Sequence, residues 1–249
     1  MNIMEEAIKN FYKSLPKNME IESVFWGGSS LYEPIEKDSD VDLFIVTGDT
    51  EKRLSGLCVV NGFTIEYFIN PISRIMKQID QEIAEYHDHW ATKIYAFAKI
   101  VFDCSGKGKE LKEYALKAYS MPFSENSKTE ELSKYYEVYD AFSEYRSHRR
   151  LGYNADPMYY ETLRMILHAY CYQHGLPLVP WQKCQRLLSD PEYRRNYHLK
   201  NIPDSDFCSR FLACMKKNTE IAKDKAIEVL YTFVMSQTEF TPENYCRIK

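Results

Sequence analysis

Gly27-Gly28-Ser29-Ser30-Leu31-Tyr32-Glu33-Pro34-Ile35-Glu36-Lys37-Asp38-Ser39-Asp40-Val41-Asp42-Leu43-Phe44-Ile45-Val46 sets a short flexible loop ahead of a strand that opens with two carboxylates. In an extended segment alternate side chains share a face, so Asp40 and Asp42 point one way while Val41, Leu43 and Ile45 point the other. Two acids on one face can hold one or two hard divalent cations such as Mg²⁺, which choose carboxylate oxygens and keep open positions for phosphate. Glycine lets backbone approach a polyphosphate closely, and the Ser29 and Ser30 hydroxyls with nearby backbone N–H groups can donate to its oxygens. Gly28, Ser29 and Ser30 are therefore candidate nucleotide contacts. Either half alone also occurs as an ordinary turn or a solvated strand end; the chemistry lies in their juxtaposition.

A third acid stands where a hairpin can deliver it. Leu57-Cys58-Val59-Val60 and Phe63-Thr64-Ile65-Glu66-Tyr67-Phe68-Ile69 are strand-like runs joined by Asn61-Gly62, a dipeptide that suits a two-residue hairpin turn. Glu66 is the only acid of the second run, placed among Ile65, Tyr67 and Phe68. With Asp40 and Asp42 it makes three candidate catalytic and metal-ligating residues.

At this point the chain resembles the nucleotidyltransferase superfamily related to DNA polymerase β, which is marked by a Gly-Ser loop, a spacer, an Asp-x-Asp strand and a later acidic strand. Gly28-Ser29 through Asp38-Ser39-Asp40-Val41-Asp42 matches that pattern, with Glu66 as the third acid. The resemblance covers roughly the first hundred residues. The small single-domain members often carry Ala-Arg-Gly in the spacer, where this chain reads Leu31-Tyr32-Glu33 and has no loop arginine.

Composition bounds the rest. A chain of 249 residues with 45% hydrophobic residues and a formal charge of −4 is globular, of one large or two small domains, with no general nucleic-acid coat. The start lacks a basic stretch before an apolar core, and no segment nears the roughly 18 apolar residues that cross a bilayer. A cytoplasmic protein without a membrane partner is expected. Seven cysteines without a Cys-x-x-Cys pair read as reduced thiols.

The periodicity divides the chain. Residues 3–15 read as an amphipathic helix; strands follow near 22–26, 40–46, 57–60 and 63–69; helical stretches lead to a last strand at 99–103. From about Lys107, apolar residues recur at helical intervals in 107–119, 128–150, 157–174, 181–188, 205–217 and 220–236. The fold expected is α+β: a mixed sheet with helices over 1–106, nucleotidyltransferase-type by the resemblance, then a helical bundle over 107–249. Most of the 20 tyrosines fall in the second part, where core and interface roles outweigh a ligand pocket.

Other features carry less. Tyr86-His87-Asp88-His89-Trp90 has two histidines without a nearby thiolate, and reads as a solvated helix end rather than a zinc site. Arg164 and His168, like Arg146 and Arg150, sit one helical turn apart and could meet phosphate or pair with acids. Arg146, His148, Arg149 and Arg150 form the one basic cluster. Lys183, after Pro180-Trp181, could reach a triphosphate across the domain boundary. Glu137, Asp140 and Glu144 are candidates for a base from the helical part, and each also suits an ordinary surface position.

The resemblance, to the antibiotic nucleotidyltransferases in particular, implies a metal-dependent enzyme. It would move a nucleoside monophosphate from a nucleoside triphosphate, ATP first, to a hydroxyl of an aminoglycoside- or lincosamide-like acceptor, releasing pyrophosphate. Two Mg²⁺ ions, or Mn²⁺, would be its cofactors, and it would be a monomer or homodimer. Modification of a protein or tRNA, as by toxin-paired relatives, and a non-catalytic nucleotide-binding regulator are the alternatives. Low basicity argues against a nucleic-acid partner.

Overall fold

The computed structural model describes residues 3–34, 40–49, 52–243 and 245. The spacer residues 35–39, with Asp38 and Ser39 of the quoted motif, and Cys246 lie outside the described residues. The chain divides into two compact units, Met1–Pro122 and Phe123–Lys249.

The first unit is built on five strands: β1 (Ile21–Gly27), β2 (Asp40–Thr47), β3 (Leu54–Val60), β4 (Phe63–Pro71) and β5 (Lys99–Asp103), in the order β3-β4-β2-β1-β5. Only β2 and β4 run parallel among these neighbours, so the sheet is mixed. Asn61 and Gly62 take φ of 52° and 84°, the two left-handed positions of a type I′ turn. That turn sets the β3–β4 register, from Val60 opposite Phe63 out to Val59 opposite Thr64 and Leu57 opposite Glu66.

Alternation then assigns the two faces. One carries Val24, Trp26, Val41, Leu43, Ile45, Ile65 and Ile69, all buried beneath Met4, Ile8 and Phe11 of α1 (Ile3–Ser14). Those helix residues recur at three- and four-residue spacing and so form one apolar stripe. The other face carries Phe25 and Phe44, where the Tyr95 ring of α3 (Trp90–Phe97) meets Phe25 edge-on at 5.2 Å. Phe44 stacks on Phe68 of β4 at 5.3 Å.

The boundary expected at 106/107 falls instead between Pro122 and Phe123, because α4 (Lys107–Ser120) belongs to the sheet unit. The Asp103 carboxylate accepts from the backbone N–H groups of Gly106, Gly108 and Lys109, at 3.0, 3.2 and 3.1 Å, which ties the helix start to β5. Gly108 lies so near β1 that a Cβ there would stand 2.7 Å from that of Ser23. No linker separates sheet and helix.

A second correction concerns the histidine stretch. After α2 (Ile72–Gln81) the chain makes a π-turn over Glu82–Tyr86, and His87 takes φ of 49°. His87 and His89 are 6% and 4% exposed, so the two histidines of the segment that reads as a solvated helix end are buried, while Tyr86 and Trp90 at its ends are exposed. Glu82, also buried, accepts from the N–H groups of Ala91 and Thr92 and from the Thr92 hydroxyl, at 2.7, 2.9 and 2.7 Å. It closes the first turn of α3 from nine residues upstream. Burial pushes its carboxyl pKa up, against the pull of those bonds.

The second unit holds α5 (Lys128–Leu151), α6 (Asp156–Gln173), α7 (Cys184–Ser189), α8 (Pro191–Asn196), α9 (Ser205–Met215) and α10 (Glu220–Met235). Its tyrosines are largely core: Tyr135, Tyr159 and Tyr170 are fully buried. Tyr170 stacks on Phe207 at 3.7 Å, and the Tyr159 hydroxyl donates to the Cys214 carbonyl at 2.9 Å. A buried phenol needs such a partner. Among the described residues no helix is long and apolar enough to cross a membrane.

Candidate functional site

The parallel register of β2 and β4 sets Asp42 beside Glu66 and Asp40 beside Thr64. Register partners share a face, as do residues two apart on a strand. The three acids therefore converge where β2 begins. One carboxylate oxygen from each of Asp40, Asp42 and Glu66 lies within 4.8 Å of the others, and all three residues are half-buried. Three partly exposed carboxylates at this spacing form an all-oxygen donor set for a hard divalent cation, with an open side for water or substrate.

The glycine loop is part of the same site. Gly27 is the β1 partner of Asp42, and Gly28 turns the chain away with φ 73°. A Cβ on Gly28 would stand 1.7 Å from Asp42 Oδ2. Glycine is needed here on two counts, the left-handed backbone and the carboxylate pressed against its Cα. Beyond it, Ser29–Leu31 forms a 3₁₀ turn, with the N–H groups of Tyr32 and Glu33 both donating to the Ser29 carbonyl at 2.9 Å.

The two serines differ. Ser29 is half-buried at the head of the turn. Ser30 is 7% exposed, and its hydroxyl oxygen accepts from Trp26 Nε1 at 3.0 Å. Trp26 belongs to the core under α1, so Ser30 fastens the loop to the sheet. The half-buried Tyr32 closes the turn, and burial raises its phenol pKa. Neither role is visible in the motif, because both depend on which residues the folded loop meets.

Lys183 lies in the second unit, at the end of a 3₁₀ turn Trp181–Lys183 that precedes α7. It is exposed, with its ammonium 5.8 Å from the Tyr197 ring centre. Several basic residues of that unit pair with acids. Arg149 pairs with Glu220 at 2.7 Å and with Asp224 at 2.9 Å, and Arg164 pairs with Glu161 at 2.6 Å. Arg146 lies over the Phe142 ring at 5.9 Å. Of the base candidates, Asp140 and Glu144 are exposed, while half-buried Glu137 is 3.5 Å from Lys134.

Thr64 is a neighbour of the acids that the sequence reading passed over. Counting outward from Asn61-Gly62 puts Thr64 and Glu66 on one face, so the signal was present in the turn.

No protein-family model matches the chain, and no curated protein matches it. Among solved structures it is similar to a nucleotidyltransferase-like protein from Exiguobacterium sibiricum 255-15. The two are 12% identical, with a TM-score of 0.48, over 94% of this chain and 75% of that one.

Proposed function

We propose that the chain is a metal-dependent nucleotidyltransferase that passes a nucleoside monophosphate from a nucleoside triphosphate to a hydroxyl of a small acceptor. The observation that carries this reading is the convergence of Asp40, Asp42 and Glu66 beside the Gly28 turn. The donor set fits Mg²⁺ or Mn²⁺, which Asp40, Asp42 and Glu66 would hold. When bound, such ions would offset triphosphate charge and lower the pKa of the acceptor hydroxyl.

The residues have separable tasks. Gly28 brings backbone close enough for phosphate to lie against the turn, and the Ser29 hydroxyl can donate to a phosphate oxygen. Ser30 holds that turn through Trp26 and contributes position. The acceptor oxygen forms its new bond to the α-phosphorus as the bond from that phosphorus to the bridging oxygen breaks. Pyrophosphate leaves, and Glu66 takes the hydroxyl proton. Alignment and charge neutralisation account for the rate, because phosphoryl transfer asks for little covalent participation by the protein.

In this reading the Met1–Pro122 unit is catalytic, the helical unit has a substrate-binding role, and Lys183 is a candidate nucleotide contact. ATP is the proposed donor and an aminoglycoside- or lincosamide-like molecule the proposed acceptor. The pairing of Arg149 with Glu220 and Asp224 favours a small acceptor over RNA, since it occupies the centre of the one basic cluster. The test is calorimetric titration of each nucleoside triphosphate with Mg²⁺ into the native protein and into Asp40→Asn/Asp42→Asn. Binding by the native chain that the double variant loses is expected. Equal binding by both overturns the assignment.

A further inference from the structure

The acid-bearing face of the sheet does not stop at Glu66. Leu57 of β3 is the direct antiparallel partner of Glu66, and Val59 is the partner of Thr64, which itself lies beside Asp40. Directly opposed residues share a face, so two rows cross the sheet: Asp42, Glu66, Leu57 and Asp40, Thr64, Val59. Leu57 and Val59 are 65% and 68% exposed. β3 ends the strand order, so this apolar shelf adjoins the acids at the sheet's edge.

We infer that Leu57 and Val59 bind the acceptor, and that the acceptor carries an apolar face next to the hydroxyl it presents to Glu66. The inference rests on the transferase reading above and names the substrate chemistry of the same site.

Three observations select this occupant. The Gly28 turn lies on the β1 side of Asp42, and the shelf lies on the far side of Glu66, so the acids stand between them. A triphosphate on the turn leaves the β3 side for the second substrate. The shelf also offers no donor to a polyanion, whereas it can desolvate a hydrocarbon surface. Lastly, an edge strand is usually guarded by charge or proline against pairing with other chains. Two exposed branched apolar residues beside an acidic site mark a binding surface. They are two positions apart on one strand, roughly 7 Å, a span that suits a short alkyl chain or one saturated ring.

Methyl-labelled protein saturated with Mg²⁺ and a non-hydrolysable ATP analogue tests this by NMR. The Leu57 and Val59 signals are identified from Leu57→Ser and Val59→Ser, and the probes are hexyl and methyl β-D-glucoside, which share their hydroxyls. The expected result is that the hexyl glucoside shifts both signals with half-saturation at about tenfold lower concentration than the methyl glucoside. Calorimetric titration of the same two glucosides shows the preference in the native protein, and Leu57→Ser/Val59→Ser, checked for folding by circular dichroism, abolishes it. Equal response to both glucosides, or none, overturns the proposal. Shifts caused by the nucleotide analogue alone assign the shelf to the base, and shifts that follow protein concentration assign it to a second copy; either also overturns it. Nucleotide binding retained without a shelf response defeats the shelf alone. A shelf response with no Mg²⁺-dependent nucleotide binding defeats the transferase reading, and the acceptor role with it.

Discussion

The Asp42 carboxylate lies against the Cα of Gly28, where a Cβ would come within 1.7 Å of Oδ2. Loop and acid are thus one unit, and the glycine is there as much for the carboxylate's position as for the turn. Gly28→Ala is expected to cost about 2–4 kcal/mol, from the left-handed backbone and the displaced carboxylate together. Urea unfolding measures the loss. The variant should also lose Mg²⁺-dependent nucleotide affinity, and a stable variant with unchanged affinity would refute the coupling.

Asp42 and Glu66 are side-by-side partners on parallel strands, so without a cation their charges repel. Asp42→Asn should therefore raise the stability of metal-free protein by about 0.2–1 kcal/mol, the usual range for cross-strand charge pairs. Mg²⁺ at about 100 times its dissociation constant should stabilise the native chain by about 2.7 kcal/mol and the variant by far less. Thermal melts with EDTA and with Mg²⁺ read both effects. Equal Mg²⁺ stabilisation of the two proteins would sink the metal site.

Ser30 is an anchor before it is a ligand. Ser30→Ala leaves the Trp26 indole N–H without its hydroxyl partner in a buried setting, a loss of about 1–2 kcal/mol. Tryptophan fluorescence and urea unfolding together should report it. An unchanged midpoint would show that the loop holds itself.

Glu82 accepts three hydrogen bonds from Ala91 and Thr92 while buried. Glu82→Ala should destabilise by about 2–4 kcal/mol, because those donors lose their acceptor. Its carboxyl pKa is raised above the ordinary 4.5 by burial. A raised acid favours the protonated form in the native state, so its contribution is full below the ordinary value and is lost as pH rises through the folded one. Glu82→Gln should flatten the stability–pH curve in the window just above pH 4.5. A curve parallel to that of the native chain would contradict this.

Much of the sheet unit was legible because its signals are local. Asn61-Gly62 adopts the turn its residue types favour, and the register of Glu66 follows by counting from it. Helix α8 was also within reach, since Asp190 caps it through the N–H groups of Glu192 and Tyr193 and Pro191 occupies its first position. Its short length hid it from a periodicity that needs more turns to register.

The sequence by itself determined the alternation that puts Asp40 and Asp42 on one face, the hairpin that brings up Glu66, and the glycine-serine loop ahead of the acids. Each follows from backbone preferences over a few residues. Only the tertiary structure decided that β2 and β4 lie side by side in parallel, that Ser30 turns to Trp26, that α4 joins the sheet unit, and that His87 and His89 are buried. Those outcomes depend on which distant surfaces meet. Burial and hydrogen-bond partners belong to the packed whole, and no short stretch of chain encodes them.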